Sequence, residues 1–286
     1  MKKSSGAKLP MSFKATFISI AILVSFILIW GYFTQPVERG VISGEDAEYA
    51  KMMGGASKNT SGMPTPGQVG STSWAQLSDP FYDRGPNDKG IGIQLAYSIM
   101  RVLSGFTLAA IVAIPLGFLV GMSPLMQRAL HPYIQVLKPI SPLAWMPLAL
   151  YTIKDAPLAS IFVIFICSVW PMLINTAYGV ASVKRDWLNV ASVLEVGAMR
   201  RAFKVILPAA APTILTGMRI SMGIAWLVIV AAEMLVGGTG IGYFIWNEWN
   251  NLSLPSVIFA ILMIGIVGMM LDFIFGKFQK MVSYVE

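Results

Sequence analysis

Few ionisable residues lie inside the apolar segments of this chain, and Arg101 and Glu233 are the two whose chemistry is most informative. A planar guanidinium binds a planar oxyanion through two parallel hydrogen bonds, and charged groups within membrane segments commonly mark ion pathways. Asn175, Thr176 and Ser221 supply uncharged hydrogen-bond donors for such a pathway. Alternatively, Arg101 pairs with Glu233 to tie two helices, and the three polar side chains bond between helices. These five residues are the candidate anion pathway, and both interpretations stay open.

The sequence contains no recognisable catalytic or nucleotide-binding machinery. No Gly-x-x-x-x-Gly-Lys-Ser/Thr run is present, and no lysine follows the glycines at 237, 238, 240 and 242, which predict a turn instead. His131 is the only histidine and Cys167 the only cysteine. A single histidine without a second ligand does not make a metal site, and a single cysteine excludes an intrachain disulfide. We therefore expect no enzyme activity and no cofactor or metal in this chain.

Composition predicts that lipid is the solvent for much of the chain. Hydrophobic residues make up 56% of the 286 positions and charged residues only 12%, about half the usual charged share of a soluble domain. A membrane-spanning helix needs about 20 apolar residues. The sequence accordingly predicts an all-α polytopic membrane protein with about six spans, at 15–33, 93–121, 132–153, 157–182, 211–236 and 255–276.

Two of these spans are atypical. The third is interrupted by Lys138 and several prolines, and we expect one irregular span packed inside the bundle. Lys138 and Arg219 are expected near the cytoplasmic ends of their spans, where long basic side chains reach the headgroups. The first span resembles a signal peptide in its basic start, but its long apolar run and the lack of a small-x-small cleavage site predict a retained helix.

The distribution of charge predicts the orientation. The net charge is +7, and the basic residues concentrate in 1–14, in 183–204 and near the C-terminus, whereas 34–90 holds five basic and seven acidic residues. By the positive-inside rule, the tails 1–14 and 281–286 and the loop 183–210 are cytoplasmic, and 34–92 is a periplasmic loop. This placement argues against nucleic acid as a partner. Residues 56–72 predict an exposed loop, either a linker or a docking surface for a binding protein.

The second span carries a small residue at every fourth position, namely Gly105, Ala109, Ala113, Gly117 and Gly121. These positions lie along one stripe of a helix. Because small side chains let another backbone approach closely, the stripe predicts tight helix packing. It says nothing about a substrate.

The loop 183–210 predicts two helices outside the membrane. Asp186 is a candidate N-cap, Gly197 a candidate break, and Pro208 the candidate end of the second helix. One face of the first helix is apolar and carries Trp187, Val190, Val193 and Leu194. Such a face either contacts a partner protein or lies on lipid headgroups.

The end of this loop, Ile206-Leu207-Pro208, and the residues at 213–220, 223–226 and 231–235 resemble the coupling loop of ABC-importer permeases. Counted back from Leu207-Pro208, the family's Glu-Ala-Ala start falls on Asn189-Val190-Ala191 and its glycine on Glu195, with Gly197 two places later. The resemblance implies a type I ABC-importer permease fold with a five-helix core over 93–280. It assigns contact with an ATPase to Asn189, Val190, Ala191, Leu194, Glu195, Gly197, Leu207 and Pro208.

The segments 168–176 and 240–246 are similar to those of the nitrate, nitrite and bicarbonate permeases of cyanobacteria, which neighbour the taurine and alkanesulfonate branch. The resemblance implies a homodimer that works by alternating access in a bacterial inner or plasma membrane. It also implies two cytoplasmic ATPase subunits that bind ATP–Mg, and a periplasmic or lipid-anchored solute-binding protein. Nitrate or nitrite is the expected substrate, with bicarbonate or a sulfonate as alternatives. A secondary transporter or channel without an ATPase is the rival class, but no inverted repeat supports it.

Overall fold

The described part of the protein, residues 11–35, 63–85 and 88–282 of a computed structural model, is almost entirely helical. The predicted all-α class is thereby confirmed. Five helical stretches are long and apolar enough to cross a membrane: 14–33, 91–122, 156–181, 198–236 and 254–282. Residues 36–62 of the predicted outer loop and most of both predicted tails, at 1–10 and 283–286, lie outside the described residues. The helices are α1 (Met11–Phe33), α2 (Pro66–Ser78), α3 (Ile91–Met122), α4 (Pro124–Leu137), α5 (Pro142–Ile153), α6 (Ala156–Ala181), α7 (Arg185–Val193), α8 (Ala198–Arg201), α9 (Leu207–Val236), α10 (Ile241–Asn250) and α11 (Leu254–Val282).

The segment 132–153, predicted as one irregular span, is divided between α4 and α5 with a turn between them, and its crossing of the membrane stays a prediction. Pro139 and Pro142 bring no backbone N–H to this turn, and Ser141, which precedes Pro142, takes an extended ψ of 136°. The 12 residues of α5 measure about 18 Å, less than the roughly 30 Å of a bilayer core. One crossing at this position therefore requires both helices.

The described helices fall into two compact units. One unit contains α1, α2 up to Ala75, and the start of α11 at Ser253–Phe259. In it, α1 is exposed along most of its length, and Nε1 of Trp30 donates a hydrogen bond to the carbonyl of Pro64 (3.1 Å). An apolar helix without a covered face suits a lipid environment.

The prediction of an exposed loop over 56–72 is wrong at its end, because α2 begins at Pro66. A capping box starts this helix: Gln68 N–H donates to Thr65 Oγ1 (3.3 Å), and Thr65 N–H donates to Gln68 Oε1 (2.9 Å). The sequence Thr-Pro-Gly-Gln is typical of a helix start, with proline at the first helical position.

The second unit contains Gln76–Leu252 and the rest of α11, and its core is formed where α3, α6 and α9 pack together. The small-residue stripe of α3 packs closely against α6, which confirms the predicted tight packing. A Cβ added at Gly105 would lie 2.8 Å from the carbonyl oxygen of Ile161, and one at Gly121 would lie 2.6 Å from that of Ala177. Glycine is required at these positions because the two backbones touch.

Candidate functional sites

The first helix of the 183–210 loop begins two residues earlier than predicted. Lys184 is the N-cap and α7 starts at Arg185, so the prediction that Asp186 is the N-cap is wrong. Asp186 lies instead in the first turn, where its negative charge suits the positive end of the helix dipole. Ala191 is buried, whereas Asn189 is exposed.

Helix α7 ends in a Schellman turn at Glu195. The N–H of Val196 donates to the carbonyl of Ala191 (3.0 Å), and the N–H of Glu195 donates to that of Ser192 (3.1 Å). Glu195 itself has a positive φ of 50°, which is the left-handed conformation that glycine adopts most easily. The glycine of the family pattern therefore falls on the residue that makes the turn.

Gly197 does not break the helix, and that prediction is wrong. Its φ of −56° and ψ of 150° are ordinary for any residue, and it serves as the N-cap of the short helix α8. A Cβ at this position would meet no atom within 4 Å. The turn depends on Glu195, two positions earlier.

Pro208 does not end the second helix either. A π-helical turn at Ala202–Ile206 joins α8 to α9, so the chain stays helical from Ala198 to Val236. A proline ring clashes with the carbonyl four residues earlier, which here is that of Lys204 within the wider π-turn. The π-turn therefore lets a proline enter a continuous helix.

The loop is attached to the bundle through a small hydrophobic cluster of Val180, Val183, Ile206, Ala210 and Ile214. Leu188 of α7 and Leu207 of α9 pack against this cluster and are partly buried. A force applied to α7 therefore acts on the ends of α6 and α9.

The coupling face is defined here as the exposed apolar side chains of the loop, namely Trp187, Val190, Val193 and Leu194 on α7, together with Met199 and Phe203, which border a cavity beside α3. Val193 is 83% exposed and Leu194 69%. Its outer edge is basic, with Arg185, Arg200 and Lys204. Such an exposed apolar face either binds a partner protein or lies on lipid headgroups, and the choice between the two stays a prediction.

Within the bundle, Arg101 and Glu233 form an ion pair. Nη1 of Arg101 lies 2.7 Å from Oε1 of Glu233 and 2.6 Å from the carbonyl oxygen of Thr239. The Glu233 side chain is 1% exposed and that of Arg101 12%. This pairing is the alternative interpretation that the sequence left open, and a pathway function of Arg101 stays a prediction.

Glu233 also fixes the start of α10. Its carboxylate accepts hydrogen bonds from Ser98 Oγ (2.7 and 2.9 Å) and from the N–H of Gly242 (3.1 Å). The N–H of Ile241 donates to Ser98 Oγ (2.9 Å), and that of Gly240 to Gln94 Oε1. Three side chains, those of Gln94, Ser98 and Glu233, thus satisfy the amides at the buried start of α10, as a helix terminus requires.

Sequence reasoning missed Gln94 and Ser98. Both lie on the same stripe of α3 as Arg101, at spacings of three, four and seven residues, and this spacing was the available signal. The predicted glycine turn at 237–242 is present, with positive φ at Gly237, Gly238 and Gly240. A side chain at Gly240 would collide with the Glu233 carboxylate.

Thr176 and Ser221 are completely buried between helices. Ser221 Oγ donates to the carbonyl of Ser168 (2.8 Å), and Thr176 packs at the close approach of α6 to Gly117. Asn175 donates to the carbonyl of Pro171 (2.8 Å) within α6. Of the three, only Ser221 makes the expected bond between helices, since the Asn175 bond stays within α6 and the buried Thr176 hydroxyl has no hydrogen-bond partner among the described residues. A pathway function for the three residues stays a prediction.

A second ion pair joins α9 to α11. Nε and Nη2 of Arg219 lie 2.7 and 2.6 Å from the two carboxylate oxygens of Asp272, which is a bidentate arrangement. Arg219 Nη1 also contacts Gln279 Oε1 (3.4 Å). Sequence reasoning missed Asp272, the lone acidic residue of its helix. Both side chains of the pair are substantially exposed, and the position of Arg219 at the headgroups stays a prediction.

Lys138 is exposed at the turn between α4 and α5 and lines a cavity together with Cys167 and Trp170. Those two residues are halfway along α6 (Ala156–Ala181), so this cavity reaches the central part of that helix. The expected place of Lys138 near the cytoplasmic end of its span stays a prediction.

The sequence matches a known protein family and is similar to permeases of known transport systems. The family model described as "Binding-protein-dependent transport system inner membrane component" matches residues 105–284. The nitrate import permease protein NrtB of Synechocystis sp. is 46% identical over 226 residues, covering 79% of this chain and 82% of that protein. The bicarbonate transport system permease protein CmpB of the same organism is 46% identical over 208 residues, covering 72% and 74%.

Among solved structures, a chain of the MetNI methionine ABC transporter in an inward-facing conformation superposes with a TM-score of 0.60. The identity is 13%, and the match covers 67% of this chain and 95% of that chain. This likeness supports the type I permease fold. The ATPase of such a transporter is a separate subunit, so this chain is a transport subunit and no enzyme. The chain belongs to the family of inner membrane components of binding-protein-dependent transport systems, the permease subunits of ABC importers.

Proposed function

We propose that this chain is the membrane-spanning permease subunit of an ATP-driven importer of nitrate or nitrite. The observation that carries the proposal is the 46% identity to a nitrate import permease over 79% of the chain. A similar identity to a bicarbonate permease favours bicarbonate as the second candidate. Nitrate and bicarbonate are both small planar monoanions, so one polar pathway suits either.

Two copies of the chain are proposed to form the transmembrane part, with one ATPase subunit bound to the coupling face of each copy. The apolar side chains of that face supply the buried core of such an interface, and its basic edge favours an acidic rim on the partner. ATP–Mg belongs to the ATPase subunits. A periplasmic or lipid-anchored binding protein delivers the anion from the outside.

Helical continuity between the loop and the membrane segment supports alternating access, because the helix connects the coupling face to the far side of the bundle. The stretch from Ala198 to Val236 is one helix, and its far end holds Glu233 at the start of α10. Closure of the two ATPase subunits moves the coupling face, and the helix transmits this movement across the bundle. The cavity between the two copies thereby opens to one side at a time.

The proposed location is a bacterial inner or plasma membrane, with multiple passes and both termini in the cytoplasm. The support is the concentration of basic residues in 1–14 and 183–204 and their scarcity at 237–254, where Glu248 is the only charged residue.

The proposal is tested with the complete complex, purified after co-expression with its ATPase subunits and binding protein and reconstituted in liposomes. ATP-dependent uptake of nitrate is the expected result, with nitrite competing and bicarbonate and sulfonates competing weakly. Preferential uptake of bicarbonate would select the second candidate. Uptake without ATP, or retention of no ATPase subunit on purification, would contradict the proposed mechanism.

A further inference from the structure

A polar stripe runs along α4, on the residues Gln127, His131, Gln135 and Lys138. Their spacings of four, four and three residues place them on one helical face. Gln135 Nε2 donates a hydrogen bond to His131 Nε2 (3.2 Å). Polar side chains at membrane depth are retained where they face protein or a water-filled cavity.

Two cavities lie along this stripe, and Lys138 lines both of them. The first has a volume of about 340 Å³ and lies between the stripe and the last turns of α6, as far as Tyr178 and Ala181. The second has a volume of about 190 Å³ and is walled by Trp145, Cys167 and Trp170. One water occupies about 30 Å³ of liquid, so the second cavity has room for a small anion and several waters.

The two cavities together extend from the loop end of the bundle to its middle. Ala181 is the last residue of α6 before the 183–210 loop, and Cys167 is near the centre of that helix. Since Lys138 belongs to both cavities, it marks their junction. The turn between α4 and α5 positions it there.

Lys138 is exposed in the single chain beside the two cavities, and unlike Arg101 and Arg219 it has no counter-ion in the described part of the chain. Arg101 pairs with Glu233 and Arg219 with Asp272, each at less than 3 Å. Within the described residues, no carboxylate lies within 4 Å of the Lys138 ammonium. A cation within a predicted membrane span is expected to have a function and a ligand.

We propose that Lys138 binds a small monovalent oxyanion midway through the membrane, and that the stripe of Gln127, His131 and Gln135 carries the anion from there to the loop side. The inference rests on the proposed function, of which it identifies the anion-binding residue. Arg101 and Glu233, by contrast, neutralise each other.

The first test compares two substitutions in the reconstituted complex. Lys138→Gln should lower nitrate uptake about tenfold or more, because hydrogen bonds to a charged group are lost, while complex yield and ATPase activity persist. Lys138→Arg keeps the charge and should retain more uptake than Lys138→Gln. The matched control is Lys277→Gln, an exposed lysine near the end of α11, which should leave uptake unchanged. Normal uptake by Lys138→Gln would overturn the proposal.

A second measurement, thiol reactivity, tests whether residue 138 faces the pathway and does not depend on which anion is transported. In a Cys167→Ser background, Lys138→Cys should react with membrane-impermeant methanethiosulfonates, and the aminoethyl reagent, which restores an ammonium group, should recover uptake. The sulfonatoethyl reagent, which adds a negative charge, should not. A thiol that resists impermeant reagents would place residue 138 against lipid and overturn the proposal. A wild-type complex that imports neither nitrate nor bicarbonate would overturn the proposed function alone, and thiol reactivity would still decide whether residue 138 faces the pathway.

Discussion

At the scale of single residues, Glu233 is the centre of the buried polar network. It accepts hydrogen bonds from Ser98, Arg101 and Gly242 while only 1% of its side chain is exposed. Removing one partner of a buried ion pair leaves an uncompensated charge and costs about 3–5 kcal/mol. Exchanging both partners for neutral groups avoids that cost.

Two substitutions follow from this difference. Arg101→Gln should reduce the yield of assembled complex, because Glu233 keeps its charge without its partner. The double variant with Glu233→Gln should recover both yield and uptake. Yield is measured by purification and uptake in liposomes, with Arg84→Gln, at an exposed site outside the membrane segments, as the control. Intact assembly with persistent loss of uptake in both variants would instead assign Arg101 to the anion pathway.

At the scale of elements, the coupling loop illustrates what sequence can and cannot specify. The pattern of Trp187, Val190, Val193 and Leu194 predicted an exposed apolar face correctly, since it follows from helical periodicity alone. The turn at Glu195 was attributed to Gly197, because glycine is the usual residue at a left-handed position. The helix through Pro208 was also missed, because a π-turn has no sequence signature as plain as a proline.

The strained turn gives a stability prediction. A non-glycine residue in the left-handed region costs about 1 kcal/mol or more, so Glu195→Gly should stabilise the end of α7. The amide of Val196, which donates to Ala191, should then exchange its hydrogen about fivefold more slowly. Gly197→Ala is the control and should not weaken protection, since Gly197 has an ordinary φ and free space around it. If the Val196 amide exchanged its hydrogen at an unchanged rate in Glu195→Gly, backbone strain at Glu195 would be contradicted.

The coupling face gives a prediction about assembly. Leu194→Asp adds a charge to the centre of the proposed interface, where burial without a partner costs several kcal/mol. The variant should insert normally, because Leu194 is 69% exposed in the single chain, but it should lose its ATPase subunits on purification.

Leu252→Asp is the matched control, since it makes the same change at an 85% exposed leucine after α10. It should retain the ATPase subunits. Normal retention and uptake by Leu194→Asp would favour the other interpretation, in which the face lies on lipid headgroups.

At the scale of the whole molecule, most of the architecture could be predicted because long apolar runs identify membrane helices directly. The helices at 91–122, 156–181 and 254–282 start within a few residues of their predicted positions. The position of Lys138 beside two cavities could not be predicted, since it depends on how α4 and α5 meet at the turn. The pairing of Arg219 with Asp272 likewise depends on how α9 packs against α11, because the two residues are 53 positions apart in sequence.

The turn between α4 and α5 also determines the topology, because five long helices alone would put the two termini on opposite sides. If α4 and α5 cross together, three crossings separate residue 71 in α2 from residue 192 in α7, and one more separates residue 192 from residue 251. The single substitutions Ser71→Cys, Ser192→Cys and Asn251→Cys, each at an exposed position in a Cys167→Ser background, test this count.

An impermeant maleimide added outside intact cells should label residues 71 and 251 and should leave residue 192 unlabelled until the membrane is opened. If the α4–α5 pair does not cross, two crossings remain between residues 71 and 192, and these residues should label from the same side while residue 251 labels from the other. Because α9 separates residues 192 and 251 in either case, their opposite labelling is the internal control. The behaviour of residue 71 therefore decides whether a broken helix pair completes the sixth crossing, and with it whether both termini lie in the cytoplasm.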